Sequence, residues 1–291
     1  MKPILALTLL GACAFAQQPK TFDSPEAAVQ ALIDASSKND TQALAAVLGS
    51  NGQGLLTSGD PARDQAERSQ FAQLATAKHR LEHSSMRADT MILLVGDQQW
   101  PFPVPLMGKD QSWHFDPASG AIEVRARRIG ANELDAIEIC AGYVEAQQAF
   151  AAERRSGAAT MEYARNIVSS AGHKDGLYAP GAAPELVPEG FANAAVEGAR
   201  AAKPYHGYYF RVLREQGPNA PGGSHKYLAG KYMIGGFALE AWPAQYGVTG
   251  VHTFIVNQEG AVYEKDLGAA TATAARTITR YDPDSSWTPV D

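Results

Sequence analysis

Two cysteines, Cys13 and Cys140, are all that 291 residues contain. That scarcity excludes the disulfide framework on which small loop-rich secreted domains depend. Long apolar runs are missing too. The best, Ile4 to Leu10, falls well short of the roughly 20 residues that cross a bilayer, so no lasting membrane span is expected. Positive charge is sparse and scattered, with 25 Lys and Arg against 31 Asp and Glu. The one compact basic group, Arg125-Ala-Arg127-Arg128, reads as a solvated strand edge or loop. A chain of formal charge -6 without a basic stripe has no means of neutralising phosphates, so nucleic acid is not a partner. No G-x-S-x-G is present, and Pro221-Gly-Gly-Ser224 lacks the phosphate-loop pattern, so no cofactor is expected.

What is there begins with an address. Lys2, the apolar run and the small residues Ala14 and Ala16 follow the order of a secretory signal, placing cleavage between Ala16 and Gln17 and making residues 1–16 a signal peptide. Leu10-Gly-Ala-Cys13 offers the competing reading, lipidation of Cys13 as a membrane anchor. Either leaves an exported protein, periplasmic or secreted. Loss of Lys2 leaves 24 basic against 31 acidic residues, a charge of -7. Cys140 then stands alone and is expected to be buried and inert.

Ser24, Pro25 and Glu26 open a helix with a cap, a preset first-turn φ and a favourable charge at the dipole. Ala28, Val29, Leu32 and Ile33 form its apolar face, Ala43 to Leu48 a second helix, and Arg63 to Leu81 a third. Short strands follow at Met91 to Val95 and Ser112 to Phe115, with an extended Trp100 to Pro105 and a turn at Asp116 to Gly120. From Asn132 to Arg155 runs the longest helical signal, apolar on two opposite sides, with Cys140 between. Residues 156–204 read as ordered loops, including a turn at Lys174 to Pro180. Tyr205 to Leu213, Met233 to Ala241, Val251 to Asn257 and Ala261 to Lys265 make four successive strands joined by turns. The expected class is α+β in two domains: residues 22–128, helices plus antiparallel hairpins, and residues 132–291, a long helix packed on a four-stranded antiparallel meander.

The segments Trp100-Pro-Phe-Pro-Val-Pro-Leu106, Arg127-Arg-Ile-Gly-Ala-Asn-Glu133, Lys174-Asp-Gly-Leu-Tyr178, Tyr205-His-Gly-Tyr-Tyr-Phe210 and Gly236-Phe-Ala-Leu-Glu-Ala-Trp-Pro-Ala-Gln-Tyr-Gly247 resemble a family of exported bacterial proteins, domain of unknown function 2950. The resemblance spans nearly the whole chain beyond the leader and brings no catalytic residues with it. The second half also resembles the globular part of pilin-like and pseudopilin proteins, although Asn132 to Arg155 is too polar to serve as a pilin's assembly helix. Ser24 to Leu48 is similar to the start of nuclear-transport-factor-like cone folds.

The sharpest catalytic pattern is His79-Arg-Leu-Glu82-His83. On a helix, H-x-x-E-H would let His79 and His83 hold zinc while Glu82 activates its water. The 100° rule points both histidines toward solvent, which favours an exposed helix end instead. Tyr205, His206 and Tyr208 offer an aromatic, hydrogen-bonding ligand pocket for a peptide or glycan. Glu240, Glu264 and Asp266 alternate as solvent-facing acids would. The reading that combines these is a non-enzymatic envelope protein that binds an unknown envelope protein, peptide or glycan. The alternatives are a zinc-dependent hydrolase and a pseudopilin-like structural component.

Overall fold

The computed structural model describes residues 19–49, 61–154, 160–181, 185–197 and 202–290. Residues 1–18, with Cys13, Ala16 and Gln17, lie outside them. The architecture is mixed helix and antiparallel sheet, an α+β fold. The chain divides into two compact units, one up to Arg125 and one from Ala126. Among the described residues no helix is long and apolar enough to cross a membrane.

In the first unit, α1 (Pro25–Ser37) is capped as expected, with the Ala27 N–H donating to Ser24 Oγ at 3.1 Å. Helices α2 (Thr41–Leu48) and α3 (Pro61–Ala77) follow. The sheet comprises β1 (His79–His83), β2 (Thr90–Val95), β3 (Trp100–Pro101), β4 (Leu106–Lys109) and β5 (Ser112–Phe115), in the order β1-β2-β4-β5 with β3 beside β2. Its core joins Val29, Leu32, Leu44 and Val47 to Leu93, Val95, Leu106 and Phe115.

Two expectations about helices change. The third helix stops at Ala77, and Leu81 belongs to a strand paired with Leu93. The long helix α4 (Pro117–Ala152) starts fifteen residues before Asn132, because Asp116-Pro-Ala-Ser-Gly120 opens a helix rather than closing a turn. Asp116 accepts from the N–H groups of Ala118 and Ser119, and Pro117 needs no partner for a missing N–H. Arg125, Arg127 and Arg128 are therefore helical, not in a strand edge or loop. The two-sided apolar face also reduces to one. Ala136, Cys140, Tyr143, Val144, Gln147 and Phe150 are buried along a single stripe, while Leu134 is 69% exposed and Ala141 lies in solvent.

The second unit continues with β6 (Asn166–Val168), β7 (Gly176–Tyr178), α5 (Glu189–Ala194), β8 (Tyr208–Leu213), β9 (Glu215–Gln216), β10 (His225–Lys226), β11 (Leu228–Ala229), β12 (Tyr232–Met233), β13 (Ala238–Pro243), β14 (His252–Asn257), β15 (Val262–Asp266), α6 (Thr271–Thr277) and β16 (Thr288–Pro289). Lys174 to Pro180, expected as a turn, holds the fully buried β7, parallel to β6. The main sheet runs β16-β15-β14-β13-β8, the expected meander widened by one short strand at Thr288. One face carries Phe210, Leu239 and Phe254 against the α4 stripe. Gln147 is fully buried. Its amide donates to Ala164 O and its carbonyl oxygen accepts from Ala164 N–H, both at 2.8 Å, which fixes the chain after α4.

Cys140 is buried as expected, and burial pushes its thiol up to about 12. A maleimide is expected to leave Cys140 unlabelled in the native protein at pH 8 and to label it on denaturation, as read by peptide mapping; rapid native labelling at Cys140 would contradict the packing. Gly142 sits exposed in mid-helix, where an added Cβ meets nothing within 4 Å. Gly142→Ala should therefore raise stability by about 0.5–1 kcal/mol in urea unfolding, since alanine keeps the helix and loses less chain entropy.

Candidate functional site

The stretch with Tyr205, His206 and Tyr208 folds as a tight turn into β8. Tyr205 and Tyr208 exchange two main-chain hydrogen bonds at 3.0 Å, and the residues between them, His206 and Gly207, have φ of 49° and 77°. That left-handed pair is what a two-residue hairpin turn requires, and glycine supplies it without steric cost. A Cβ at Gly207 would come within 2.5 Å of Asn132 Nδ2 and 2.9 Å of Thr249 Cβ, so no other residue fits there.

Around this turn three segments distant in sequence meet. Asn132 Nδ2 donates to Thr249 O at 2.8 Å, and Glu133 Oε1 accepts from the N–H groups of Val251 and His252 at 2.7 and 2.9 Å. His206 Nδ1 lies 2.5 Å from Asp135 Oδ2. Tyr208 is fully buried and donates its hydroxyl to His252 O at 3.0 Å; burial holds that phenol far above its ordinary pKa. A Cβ on Gly250 would stand 2.1 Å from the same hydroxyl oxygen.

With the geometry of this convergence in place, the family match is direct. The family model described as Protein of unknown function (DUF2950) covers residues 19–290. The chain belongs to the DUF2950 family. No curated protein and no solved structure matches it. Three of the segments that carry the DUF2950 resemblance, Arg127 to Glu133, Tyr205 to Phe210 and Gly236 to Gly247, supply this knot or the strands beside it, so their residues hold the fold of the second unit together.

The three proposed pocket residues consequently separate. Tyr208 is core, and His206 is exposed and fastened to Asp135. Tyr205 alone faces a cavity, with its ring so close to Gly190 that a Cβ there would approach within 2.3 Å. This cavity, about 400 Å³, lies between α4 and the segment that enters α5. Ile139, Tyr143, Ala146 and Phe191 make an apolar floor, and the exposed carboxylates of Glu145 and Glu185 stand at its rim. Among the described residues neither carboxylate has a cationic partner. An apolar floor with unneutralised acid at the lip suits a greasy group carried next to a cation.

His79, Glu82 and His83 are not helical. They lie on β1, where successive side chains alternate, so Glu82 faces away from both histidines. Four residue steps along the strand separate the histidine Cα atoms by about 13 Å, too far for both to reach one zinc ion at its ordinary bond length of about 2.1 Å. Glu82 instead pairs with Arg80 at 3.1 Å, and His79 Nδ1 lies 2.6 Å from Ala75 O. Among the described residues no group of three or more His, Cys, Asp or Glu is placed to hold a metal.

The sequence reading missed Glu240. Expected in solvent, it is fully buried in a strand with all six residues buried, and Arg211 Nη2 on β8 donates to its Oε2 at 2.5 Å. The same Nη2 donates to Ala275 O and Ile278 O at 2.6 and 2.7 Å, hanging the end of α6 over this face of the sheet. Burial pushes Glu240 up to about 8, against the opposing pull of the Arg211 charge. Glu240 Oε1, Arg211 Nε and Thr253 Oγ1 are buried with no hydrogen-bond partner. The available signal was the Arg and Glu at matching positions of two β-runs, and it emerges only with the register Glu240 to Arg211.

Proposed function

We propose that this protein is an exported, non-enzymatic envelope protein that binds a peptide through the groove at Tyr205. The observation that carries the reading is that groove: an apolar floor of Ile139, Tyr143 and Phe191 with Glu145 and Glu185 at its lip. Such a site takes an aliphatic or aromatic side chain flanked by lysine or arginine. The leader-like residues 1–16 support export. One long helix laid on an antiparallel sheet supports grouping residues 132–291 with pilin-like folds, and the helix-plus-hairpin character of residues 22–128 supports a separate first domain. Binding by an apolar cleft with charged guidance needs no reacting group, which agrees with the plain structural roles of His206 and Tyr208.

The test is fluorescence anisotropy with a labelled hexapeptide, Lys-Lys-Leu-Phe-Lys-Lys. Saturable binding is expected, weakened at least about tenfold by Gly142→Trp, which fills the groove from an open helix position, and by Glu145→Lys. The counterpart with glutamate in place of lysine should not bind. A dissociation constant weaker than about 1 mM, or binding that both variants leave unchanged, would refute the reading.

A further inference from the structure

Strand β1 is the outermost strand of the sheet in the first unit. On one side lies β2, and among the described residues nothing pairs with the other. Four of its five residues are exposed, and only Leu81 is half-buried, against the core. The register fixes which main-chain groups look outward. At the two ends Gly96 N–H donates to Lys78 O at 2.8 Å and Ser84 N–H donates to Thr90 O at 2.9 Å, so residues 78 and 84 are turned toward β2. Positions bonded to one neighbour recur at every second residue of an antiparallel ladder, which turns Arg80 and Glu82 toward β2 as well. His79, Leu81 and His83 therefore present their N–H and C=O groups along the free edge, a template for another strand.

Nothing local blunts this edge. It carries no proline, its register is unbroken by a bulge, and its charges are not of one sign. The order His79-Arg-Leu-Glu-His83 is instead self-complementary: read backwards, it matches itself with cation and anion exchanged. A foreign peptide would have to supply that alternation, whereas a second copy of the chain carries it already.

Two copies related by a two-fold axis must set outward groups against outward groups. Three registers centred inside the strand do so, on Arg80, on Leu81 or on Glu82. The first places Arg80 against the partner's Arg80 and the last places Glu82 against the partner's Glu82, and like charges directly opposite destabilise a sheet. Centring on Leu81 places Arg80 across from the partner's Glu82, and Glu82 across from the partner's Arg80. These are non-hydrogen-bonded pairs, in which Cα atoms approach to about 4.5 Å and side chains come closest. Along each strand Arg80 already lies 3.1 Å from Glu82, so the four charges alternate around a square. Leu81 exchanges both main-chain hydrogen bonds with the partner's Leu81, on the face where it already touches the core.

We propose that two copies of this chain pair β1 with β1, antiparallel about a two-fold axis at Leu81, and so merge their first-unit sheets into one. The contact is isologous and uses the free edge of β1 in both copies, so it closes at a dimer. One short strand pair buries less than a standard interface, and association in the micromolar range is expected. None of these residues lines the Tyr205 groove, so the dimer does not depend on the peptide-binding reading above.

The test is sedimentation equilibrium of residues 17–291 at pH 8, where histidine is ordinarily neutral, from about 5 to about 500 μM. A monomer–dimer equilibrium is expected. Glu82→Arg and Arg80→Glu should each weaken it at least about tenfold, because each sets like charges across the seam. An equimolar mixture of the two variants should associate again, since one edge then carries only cations and the other only anions at these positions; misfolding cannot produce that recovery. In isotope-labelled protein, hydrogen exchange at the Leu81 amide should slow as concentration rises, while the Arg80 and Glu82 amides, bonded to β2 throughout, should not change. A chain still monomeric at about 500 μM, a dimer that neither substitution weakens, a mixture that stays monomeric, or a dimer that leaves the Leu81 amide unprotected would each overturn the proposal.

Discussion

Arg211→Ala is expected to destabilise the second unit by about 3–5 kcal/mol at pH 9, the range for removing one partner of a buried ion pair. Two losses combine. Glu240, with no exposed surface, loses its counter-charge and can stay buried only by taking up a proton against the ambient pH, and the carbonyls of Ala275 and Ile278 lose the donor that ties α6 to the sheet. Hydrogen exchange of the β13 amides through a urea series reports this unit specifically. Replacing both partners by apolar residues, Arg211→Met with Glu240→Leu, should recover most of the loss, because desolvation of both charges disappears together. A single-variant cost below about 1 kcal/mol would show that the pair is solvated in solution.

The second large effect is a pH dependence of unusual sign for a carboxyl group. Burial raises Glu240 from 4.5 to about 8, so between those values the folded protein holds a proton that the unfolded chain has released. Folding is then favoured by protons. The stabilisation is full below about pH 4.5 and declines as the pH climbs to about 8, and a displacement of this size corresponds to a few kcal/mol. An ordinary paired carboxylate behaves oppositely, losing stability as the pH falls. Glu240→Gln should flatten the profile between pH 5 and 8 while preserving an acceptor for Arg211. An identical slope in that variant would assign the dependence elsewhere. The two measurements also check one another, since the Arg211→Ala penalty should shrink at pH 6, where Glu240 can take up a proton.

How far the sequence announced these features depended on whether the signal was local. Ser24-Pro25-Glu26 marked the start of α1 because cap, proline and acid all act within one turn. Strand β5 and the hairpin between β14 and β15 were equally local, with Gly260 at φ 83° closing the turn. Asp116-Pro-Ala-Ser-Gly120 misled because the same residues satisfy a turn and a helix N-terminus; in the fold Asp116 accepts from the Ala118 and Ser119 N–H groups and so caps the helix. His79 to His83 read as helix because no breaker follows Ala77, whereas the ladder to Met91–Val95 outweighs local propensity. The buried Gly176–Tyr178 and Glu240 were missed for one reason: the elements that cover them, β6 in one case and α6 with its following loop in the other, are distant or weakly patterned.

The candidate sites show the same division. Tyr205 could be picked out by its aromatic neighbours, yet Tyr208, three residues on, goes into the core, and strand alternation alone cannot tell a groove from a core when both faces of a sheet are covered.

The end of the chain ties together both margins of the main sheet. Tyr281 N–H donates to Glu215 O at 2.9 Å beyond β8, and a few residues later Thr288–Pro289 pairs with β15 at the opposite edge. During synthesis, therefore, the second unit cannot complete its sheet until residues 281–290 have left the ribosome. From their synthesis until that of residues 281–290, the strands that carry Arg211 and Glu240 wait without these closing contacts. A premature stop that removes only this tail should produce a chain which chaperones hold and proteases clear, though it retains nearly every core residue.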